Sequence, residues 1–560
     1  MKKINLLVCI LINAYLFSEI KAQNQFNYAK AWKSQDNNTY ETATCITEDN
    51  NGNIYIGGEF EGTVDFDPTL ATNSFVSINN SIDAYISKFD ASGNYLWTKT
   101  FGGTSNDYIN KIKINSLNEL LVLGYFSSTV DFDPSLATQT LTSAGSSDIF
   151  LAKFDLNGNY LDVKKIGGSG SEAASNLTLD QSGNIFICGK AAAGCDFDPG
   201  LAVNTPTFTH TGFMAKYTPT MGLLFVANNI GEYATNVQIN SSNEIIVGGY
   251  FQGTVDFDNS PATYSVQSSG MRDVFICKYT STGNFSWLYN VGSTSSDELS
   301  DLTIDNNFIY ACGSFQNLID FDNSAGTYTL QSNGQRDAFF IKLNHNGNLQ
   351  TAFNFGGTLS DDATSITKNG SGFTIAIYTS GVIDCDPGPL TTTINTNYSA
   401  TILEFNNSDA FISKQQVGEA TPFIYPYQII KNSQNQIYMV GILSNSAGTV
   451  IDFDDTPSVA SFTCGGNDDA VLIKYGSIAT NISDFSNKNE LKLYPNPVNN
   501  QLYIYNRGEE TNYYIYDSKL SIVQYGKINT GNNQLNLSGF NSGLYFLKTK
   551  NSETLKIIKE

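Results

Sequence analysis

Asp65-Phe66-Asp67 returns six more times along the chain, as Asp131-Phe132-Asp133, Asp196-Phe197-Asp198, Asp256-Phe257-Asp258, Asp320-Phe321-Asp322, Asp384-Cys385-Asp386 and Asp452-Phe453-Asp454. Successive first aspartates stand 66, 65, 60, 64, 64 and 68 residues apart. A period this steady marks stacked copies of one supersecondary unit rather than a series of unrelated domains. Four short apolar runs recur around each Asp-x-Asp. In the first copy they are Ala43-Thr44-Cys45-Ile46-Thr47, Ile54-Tyr55-Ile56-Gly57-Gly58, Asp83-Ala84-Tyr85-Ile86-Ser87-Lys88, and Tyr95 through Gly103. Turn residues such as Asp49-Asn50-Asn51-Gly52-Asn53 and Gly93-Asn94 separate them, which is the strand and hairpin pattern. The third run is matched at 148–153, 273–278, 337–342, 409–414 and 469–474.

The second and third runs are apolar on both faces, so both faces are predicted to be buried. Four-stranded antiparallel sheets packed face to face around an axis meet that demand. The predicted fold class is all-β: a seven-bladed β-propeller over residues 23–476, followed by a small Ig-like β-sandwich. The array begins with Phe26-Asn27-Tyr28-Ala29-Lys30-Ala31-Trp32, which has the character of a fourth run. It ends on Asp469-Ala470-Val471-Leu472-Ile473-Lys474, a third run. The last copy therefore lacks its fourth strand while the N-terminus holds a spare. Pairing the two closes the ring and leaves no unpaired edge. The three tryptophans, Trp32, Trp97 and Trp287, all fall on fourth runs.

The two ends carry different signals. Met1-Lys2-Lys3, an apolar run over 4–17, and Ser18-Glu19-Ile20-Lys21-Ala22 read as a secretory signal peptide over 1–22, cut between Ala22 and Gln23. No further long apolar stretch follows, so no transmembrane segment is expected in the mature chain. Residues 477–490 read as a polar linker. Alternating apolar runs over 491–560, about seven short strands, predict a small β-sandwich.

Composition narrows the partners. The chain has 31 basic and 53 acidic residues, a net charge of −22, which argues against nucleic acid and anionic membrane surfaces. Two histidines, His210 and His345, leave little for a catalytic triad or histidine-bound zinc. His345 sits in an ordinary hairpin turn, Asn344-His345-Asn346-Gly347, and neither histidine has an evident partner. Eight cysteines become seven once the signal is removed. Cys188, Cys277 and Cys312 lie in apolar runs, as buried thiols do, and a Cys188–Cys195 bridge is the one local pairing the spacing suggests.

The Asp-x-Asp pairs are the candidate metal ligands: Asp65, Asp67, Asp131, Asp133, Asp196, Asp198, Asp256, Asp258, Asp320, Asp322, Asp384, Asp386, Asp452 and Asp454. In an extended segment both carboxylates point one way and the Phe the other. The connection from each fourth strand to the next first strand adds Asp107, Glu172, Asp297, Asp361 and Asp362 at the same end, so one face is predicted to be acidic. Ca²⁺ is the candidate cation, since hard cations take several oxygens. Aspartate also favours turns, and Asp67-Pro68 and Asp133-Pro134 fit turn chemistry better. The repeated third-strand lysines, Lys88, Lys153, Lys216, Lys278, Lys342, Lys414 and Lys474, read as architecture. No catalytic residue and no certain cofactor are assigned. The expected activity is non-enzymatic binding or scaffolding of a glycan or protein ligand. The alternative is a secreted carbohydrate-active hydrolase or lyase using carboxylates or calcium.

Two resemblances carry this further. Gly-Asn-Ile-Tyr-Ile-Gly-Gly at 52–58, Asp-Ala-Tyr-Ile-Ser-Lys at 83–88 and Thr-Lys-Thr-Phe-Gly-Gly at 98–103 resemble the SBBP-type β-propeller repeat of secreted bacterial proteins. That resemblance implies fold and leaves activity open. The tail, with Tyr494-Pro495-Asn496-Pro497, the strand opening at Gly543, and the basic end containing Lys556 and Lys559, resembles the type A C-terminal sorting domain of the type IX secretion system. It implies the type IX machinery as a partner, a Bacteroidota-type source, and a product that is secreted or attached to the outer-membrane surface.

Overall fold

The computed structural model describes residues 25–34, 40–69, 71–388, 391–417, 423–444, 450–453, 461–465, 468–476, 491–494, 498–506, 510–517, 522–549 and 555–559. The predicted signal peptide with Ala22 and Gln23, the linker, Asp454, and Pro495, Asn496 and Pro497 lie outside the described residues. The chain divides into two compact units, Met1–Ile478 and Ala479–Glu560.

The first unit holds seven four-stranded antiparallel sheets among the described residues. Sheet one is Glu41–Glu48, Ile54–Phe60, Asp83–Phe89 and Tyr95–Phe101, paired in that order. The seventh sheet takes Phe423–Lys431, Ile437–Ser444 and Asp468–Gly476 from one end of the array and Gln25–Ala31 from the other. In that join Tyr28 lies opposite Lys474, and Ala31 opposite Val471. The first strands of successive sheets touch one another in turn, and the seventh touches the first. No helix among the described residues is long and apolar enough to cross a membrane.

The central residues of the Asp-x-Asp pattern pack between sheets. Phe66, Phe132, Phe197, Phe257, Phe321, Cys385 and Phe453 are all buried. Phe66 lies 4.6 Å from the Tyr85 ring and Phe132 4.9 Å from Phe150. One chain pattern thus fixes both a loop and the wedge beneath it. The segment also forms a small hairpin that the sequence patterns did not single out, Thr63–Asp65 against Ser74–Val76, repeated in the second, fourth, fifth and seventh copies.

One expectation needs correction. Residues 409–414 are not the third strand of the sixth sheet. That strand is Thr393–Asn406, in one long hairpin with Gly372–Asp384, and Phe411–Gln416 is the fourth. The motif Asp-x-x-Ile-x-Lys misleads here: Asp409 occupies a turn with φ 63°, and Lys414 belongs to the fourth strand. Glu404 stands opposite Thr374, as Lys342 stands opposite Tyr310 in sheet five. Cys188 and Cys195 are both free thiols, as are the other five described cysteines, all buried.

The tail unit has a three-stranded sheet, with Gln501–Asn506 between Leu491–Tyr494 and Gly531–Asn536, and a four-stranded one. In the four-stranded sheet Gly543 lies opposite Lys559, and Phe546 opposite Lys556. Leu502 and Ile504 point inward between outward Gln501, Tyr503 and Tyr505, the alternation of a sheet wet on one face.

Candidate functional site

The Asp-x-Asp segments are built as turns. Oδ1 of Asp131 accepts the N–H of Asp133 at 3.1 Å and of Gln139 at 2.7 Å, and Asp133 accepts the N–H of Ser135 at 2.9 Å. The first aspartate repeats this pair of bonds at Asp65, Asp196, Asp256, Asp320 and Asp384, and the second aspartate holds its loop at Asp67, Asp198, Asp258, Asp322 and Asp386. Aspartate is chosen here because a short carboxylate satisfies loop donors two and eight residues on. No group of three or more His, Cys, Asp or Glu able to hold a metal occurs among the described residues.

Four of the five acids between sheets are buried rather than displayed, Asp362 being the exception, so these four add nothing to an acidic face. Asp107, Glu172, Asp297 and Asp361 are fully buried, and each binds two backbone donors from different loops. Asp297 accepts the N–H of Ser293 at 2.6 Å and of Gln316 at 2.8 Å, tying the entry of sheet five to the exit of its second strand. Burial pushes Asp107 up to about 8 and Asp361 up to about 6, against the pull of these N–H bonds.

Five third-strand lysines latch one sheet to the next, whereas Lys216 pairs with Asp180 of its own sheet and the sixth sheet has no lysine there. Lys88 donates to Leu156 O at 2.9 Å, Lys153 to Pro219 O at 2.6 Å, Lys278 to His345 O at 3.1 Å, and Lys342 to Asp409 at 2.9 Å. Lys474 donates to Ala91 O at 3.0 Å, so the same latch spans the join between the ends of the array. His345 is part of this scaffold: its carbonyl also takes the Trp287 indole N–H, and its Nε2 lies 2.8 Å from Asp305 O. His210 binds Asn229 through its backbone and has only Thr209 Oγ1, at 3.4 Å, beside its ring.

What varies from sheet to sheet lies at one end of the axis. Each first strand carries a bulge at an equivalent place, at Thr44, Asn110, Ser175, Thr235, Ser300, Thr364 and Tyr427. Thr44, Ser175 and Thr235 use the displaced hydroxyl to reach the next sheet, at Ile109 O, Ala234 O and Leu299 O, 2.6–3.1 Å away. Just outside this ring of bulges sit seven cross-strand pairs: Thr42–Glu59, Tyr108–Tyr125, Ala173–Lys190, Tyr233–Tyr250, Glu298–Ser314, Asp362–Tyr378 and Tyr425–Ile442. Six of these fourteen residues are tyrosines, and the pairs differ in charge as well.

Aromatic and charged contacts run around this mouth. Tyr108 and Tyr125 stack at 4.7 Å, and Tyr378 lies 5.0 Å from Tyr425. Lys190 sits over the Tyr233 ring at 5.5 Å and Arg272 over Tyr250 at 4.6 Å. Arg272 and Arg336, two of the chain's three arginines, join Glu232, Glu298 and Asp362 into one ion-pair chain across sheets four, five and six. A pocket of about 300 Å³ opens between sheets three and four, lined by Lys190, Glu232, Tyr233, Tyr250 and Arg272 among others. Glu59 is 5% exposed, and burial pushes its carboxyl up to about 8. A smaller opposing pull comes from the Thr42 hydroxyl, which does not reach hydrogen-bond geometry. Deeper along the axis Lys113 is lowered to about 8, first by burial and then by Lys111.

The sequence patterns did not single out these residues, yet a signal exists. Phe60, Phe126, Phe251 and Phe315 repeat at the end of the second strand, while the residue before them changes: Glu59, Tyr125, Tyr250, Ser314. Variation at one fixed place in a regular repeat is where a site would show.

Residues 492–560 match the family described as the secretion system C-terminal sorting domain. The chain therefore carries an export tail. An uncharacterized WD repeat-containing protein of Acanthamoeba polyphaga mimivirus is 23% identical over 239 residues, 36% of this chain and 17% of that protein. The regulatory protein FlaEY of Caulobacter vibrioides is 22% identical over 321 residues, 53% of this chain and 33% of that protein. The matched stretches thus span a third or less of these relatives' own lengths. Among solved structures, the Neurospora crassa Pan2 WD40 domain is similar with a TM-score of 0.39 and 9% identity, over 82% of this chain and 98% of that one.

Proposed function

We propose that this chain is an exported, non-enzymatic β-propeller binding protein whose ligand, a glycan or a protein segment, docks on the tyrosine-lined axial mouth. In this reading the seven sheets are the seven blades of an SBBP-type propeller closed by the N-terminal strand. The tail is an Ig-like sandwich read by the type IX secretion machinery, and the product is released or held at the outer-membrane surface. The observation that carries the binding reading is asymmetry imposed on a repeat. Turn aspartates and latch lysines recur from sheet to sheet, as scaffold should, whereas the mouth pairs change between Tyr–Tyr, Ala–Lys, Glu–Ser and Thr–Glu. Aromatic faces flanked by charged groups offer stacking area and directional hydrogen bonds, the chemistry of sugar and peptide recognition.

A second reading, a carbohydrate-active hydrolase or lyase, draws on Glu59, the mouth carboxyl that burial raises to about 8, which gives it the protonation of a general acid. It requires a second, ionised carboxylate across a bound sugar. A glycan and peptide array probed with the protein and with Tyr250→Ala tests the first reading: binding lost in the variant supports it, and a blank array with the parent protein overturns it. Product release from any bound oligosaccharide would favour the hydrolase. Deleting residues 491–560 is expected to trap the protein in the periplasm, and unchanged export would refute the sorting assignment.

A further inference from the structure

Among the described residues, no side chain pairs with the charge of Glu59 at the mouth. Its Oε2 is buried and makes no hydrogen bond, and no basic side chain forms an ion pair with it among the described residues. Tyrosines stand close by. Tyr85 donates its hydroxyl to the carbonyl of Thr42, the cross-strand partner of Glu59, at 2.8 Å, Tyr108 and Tyr125 stack at 4.7 Å at the same level of the next sheet, and burial, with a Glu59 charge adding to it, raises these three together with Tyr40 and Tyr427. Burying a carboxylate among rings without a partner is costly, so such a group stays protonated until a cation meets it.

The molecule displays the missing half elsewhere. Lys190 holds Glu59's place in sheet three, opposite Ala173 as Glu59 is opposite Thr42. Its ammonium lies over the ring of Tyr233 in the following sheet. In sheet four Arg272 covers Tyr250, the next residue at that place. These clefts thus take a cation against a tyrosine face, and in two of them the chain supplies it. Between sheets one and two tyrosines recur at that level, a carboxyl replaces the lysine, and no cation pairs with it among the described residues.

We propose that the Glu59 cleft binds the ammonium group of an external ligand, with Glu59 as counter-ion and Tyr40, Tyr108, Tyr125 and Tyr427 as aromatic walls. This rests on the axial mouth being the binding face and names the chemistry it recognises. The ammonium belongs to a lysine side chain or to an unacetylated amino sugar. Cation–π attraction and a desolvated carboxylate reinforce each other, since both strengthen as water is excluded. Binding expels the Glu59 proton, so affinity follows ionisation. The other titratable groups facing the cleft are Glu41 and Cys45 from its own sheet, the surrounding tyrosines, and Asp468 beside Tyr40. Lys111, which acts on Cys45, is the base among these groups, and it forms no ion pair with Glu59 among the described residues.

Saturation-transfer NMR on the full chain, with butylammonium as probe and butanol as its neutral counterpart, tests this. Butylammonium is expected to bind and butanol not to, with affinity falling about tenfold from pH 7 to pH 6. Glu59→Gln, close in shape and neutral, is expected to abolish binding, and Tyr108→Leu to weaken it. Nα-acetyl-lysine amide against glucosamine, each compared with its N-acetylated form at pH 7, separates the two sources. Equal binding of butanol, wild-type affinity in Glu59→Gln, or no butylammonium binding at any pH overturns the ammonium assignment. In that event an array ligand that still needs Tyr250 leaves the broader binding reading standing, so the two failures are distinguishable.

Discussion

Replacing Glu59 by Gln is expected to stabilise the first unit at alkaline pH and to leave it unchanged at acid pH. The folded carboxyl is raised from 4.5 to about 8, chiefly by burial. A carboxyl raised on folding contributes stability that is fully present below pH ~4.5 and lost as pH climbs through about 8. The difference, ~3.5 units at 1.36 kcal/mol each, sets an upper bound of ~5 kcal/mol, and water entering the mouth reduces the expected value to ~2–4 kcal/mol. Glutamine keeps the shape and never ionises, so the variant escapes that loss. Guanidinium unfolding of parent and variant at pH 5, 7 and 9, followed by tryptophan fluorescence, measures it. Trp32, Trp97 and Trp287 all lie in the first unit and the tail has none, so the signal reports the array alone. Asp107, Asp83 and Asp361 titrate in the same window, but they are common to both proteins and cancel in the difference. A variant-minus-parent stability that stays flat from pH 5 to pH 9 refutes the reasoning.

Lys474→Met removes the bond to Ala91 O that spans the join, together with the approach of its ammonium to the Tyr438 ring at 4.9 Å; a loss of ~1–3 kcal/mol is expected in the same unfolding assay. Lys278→Met, at an internal joint, should cost about as much if the latch is uniform scaffold. Asp256→Ala strips the acceptor from Asp258 N–H and Tyr264 N–H and is expected to cost ~1–2 kcal/mol, while a calcium chelator leaves the parent's melting temperature unchanged. A clear drop on chelation would return the aspartates to cation binding. Asp297→Ala, which leaves two buried backbone donors unpaired, should be the most damaging of these, at ~2–5 kcal/mol.

The repeat was legible because the scaffold uses the same residues for the same geometry each time. Phe66 and its equivalents fill one wedge, Asp65 and its equivalents close one loop, and Lys88, Lys153, Lys278, Lys342 and Lys474 cross one gap, so periodicity exposed most of the strands. Where the chain breaks that economy, the reading slipped. In the sixth copy the third strand lacks the Asp and Lys, and a turn at Asp409 happens to reproduce the motif, so pattern matching moved the strand one hairpin too far. The burial of four acids between sheets was not legible for a related reason. Sequence shows charge but not burial, and Asp107 and Asp297 spend their carboxylates on loop N–H groups rather than on solvent.

The axial mouth stayed hidden because its members have no mutual spacing. Glu59, Tyr108, Tyr125 and Tyr427 meet only once the first strand of sheet one touches those of sheets two and seven. Sequence comparison among copies can still find such positions, by inverting the usual test. In a closed array the invariant residues answer to packing, because every joint is the same joint. A ligand that is not itself sevenfold cannot be met by sevenfold contacts, so specificity must reside where the copies disagree. At the end of the second strand that disagreement includes a buried carboxyl in sheet one and a lysine in sheet three. Exchanging them, as Glu59→Lys with Lys190→Glu, is therefore expected to move ammonium binding from the first cleft to the third rather than abolish it, and loss of binding at both would show that the surrounding tyrosines, not the charge, choose the cleft.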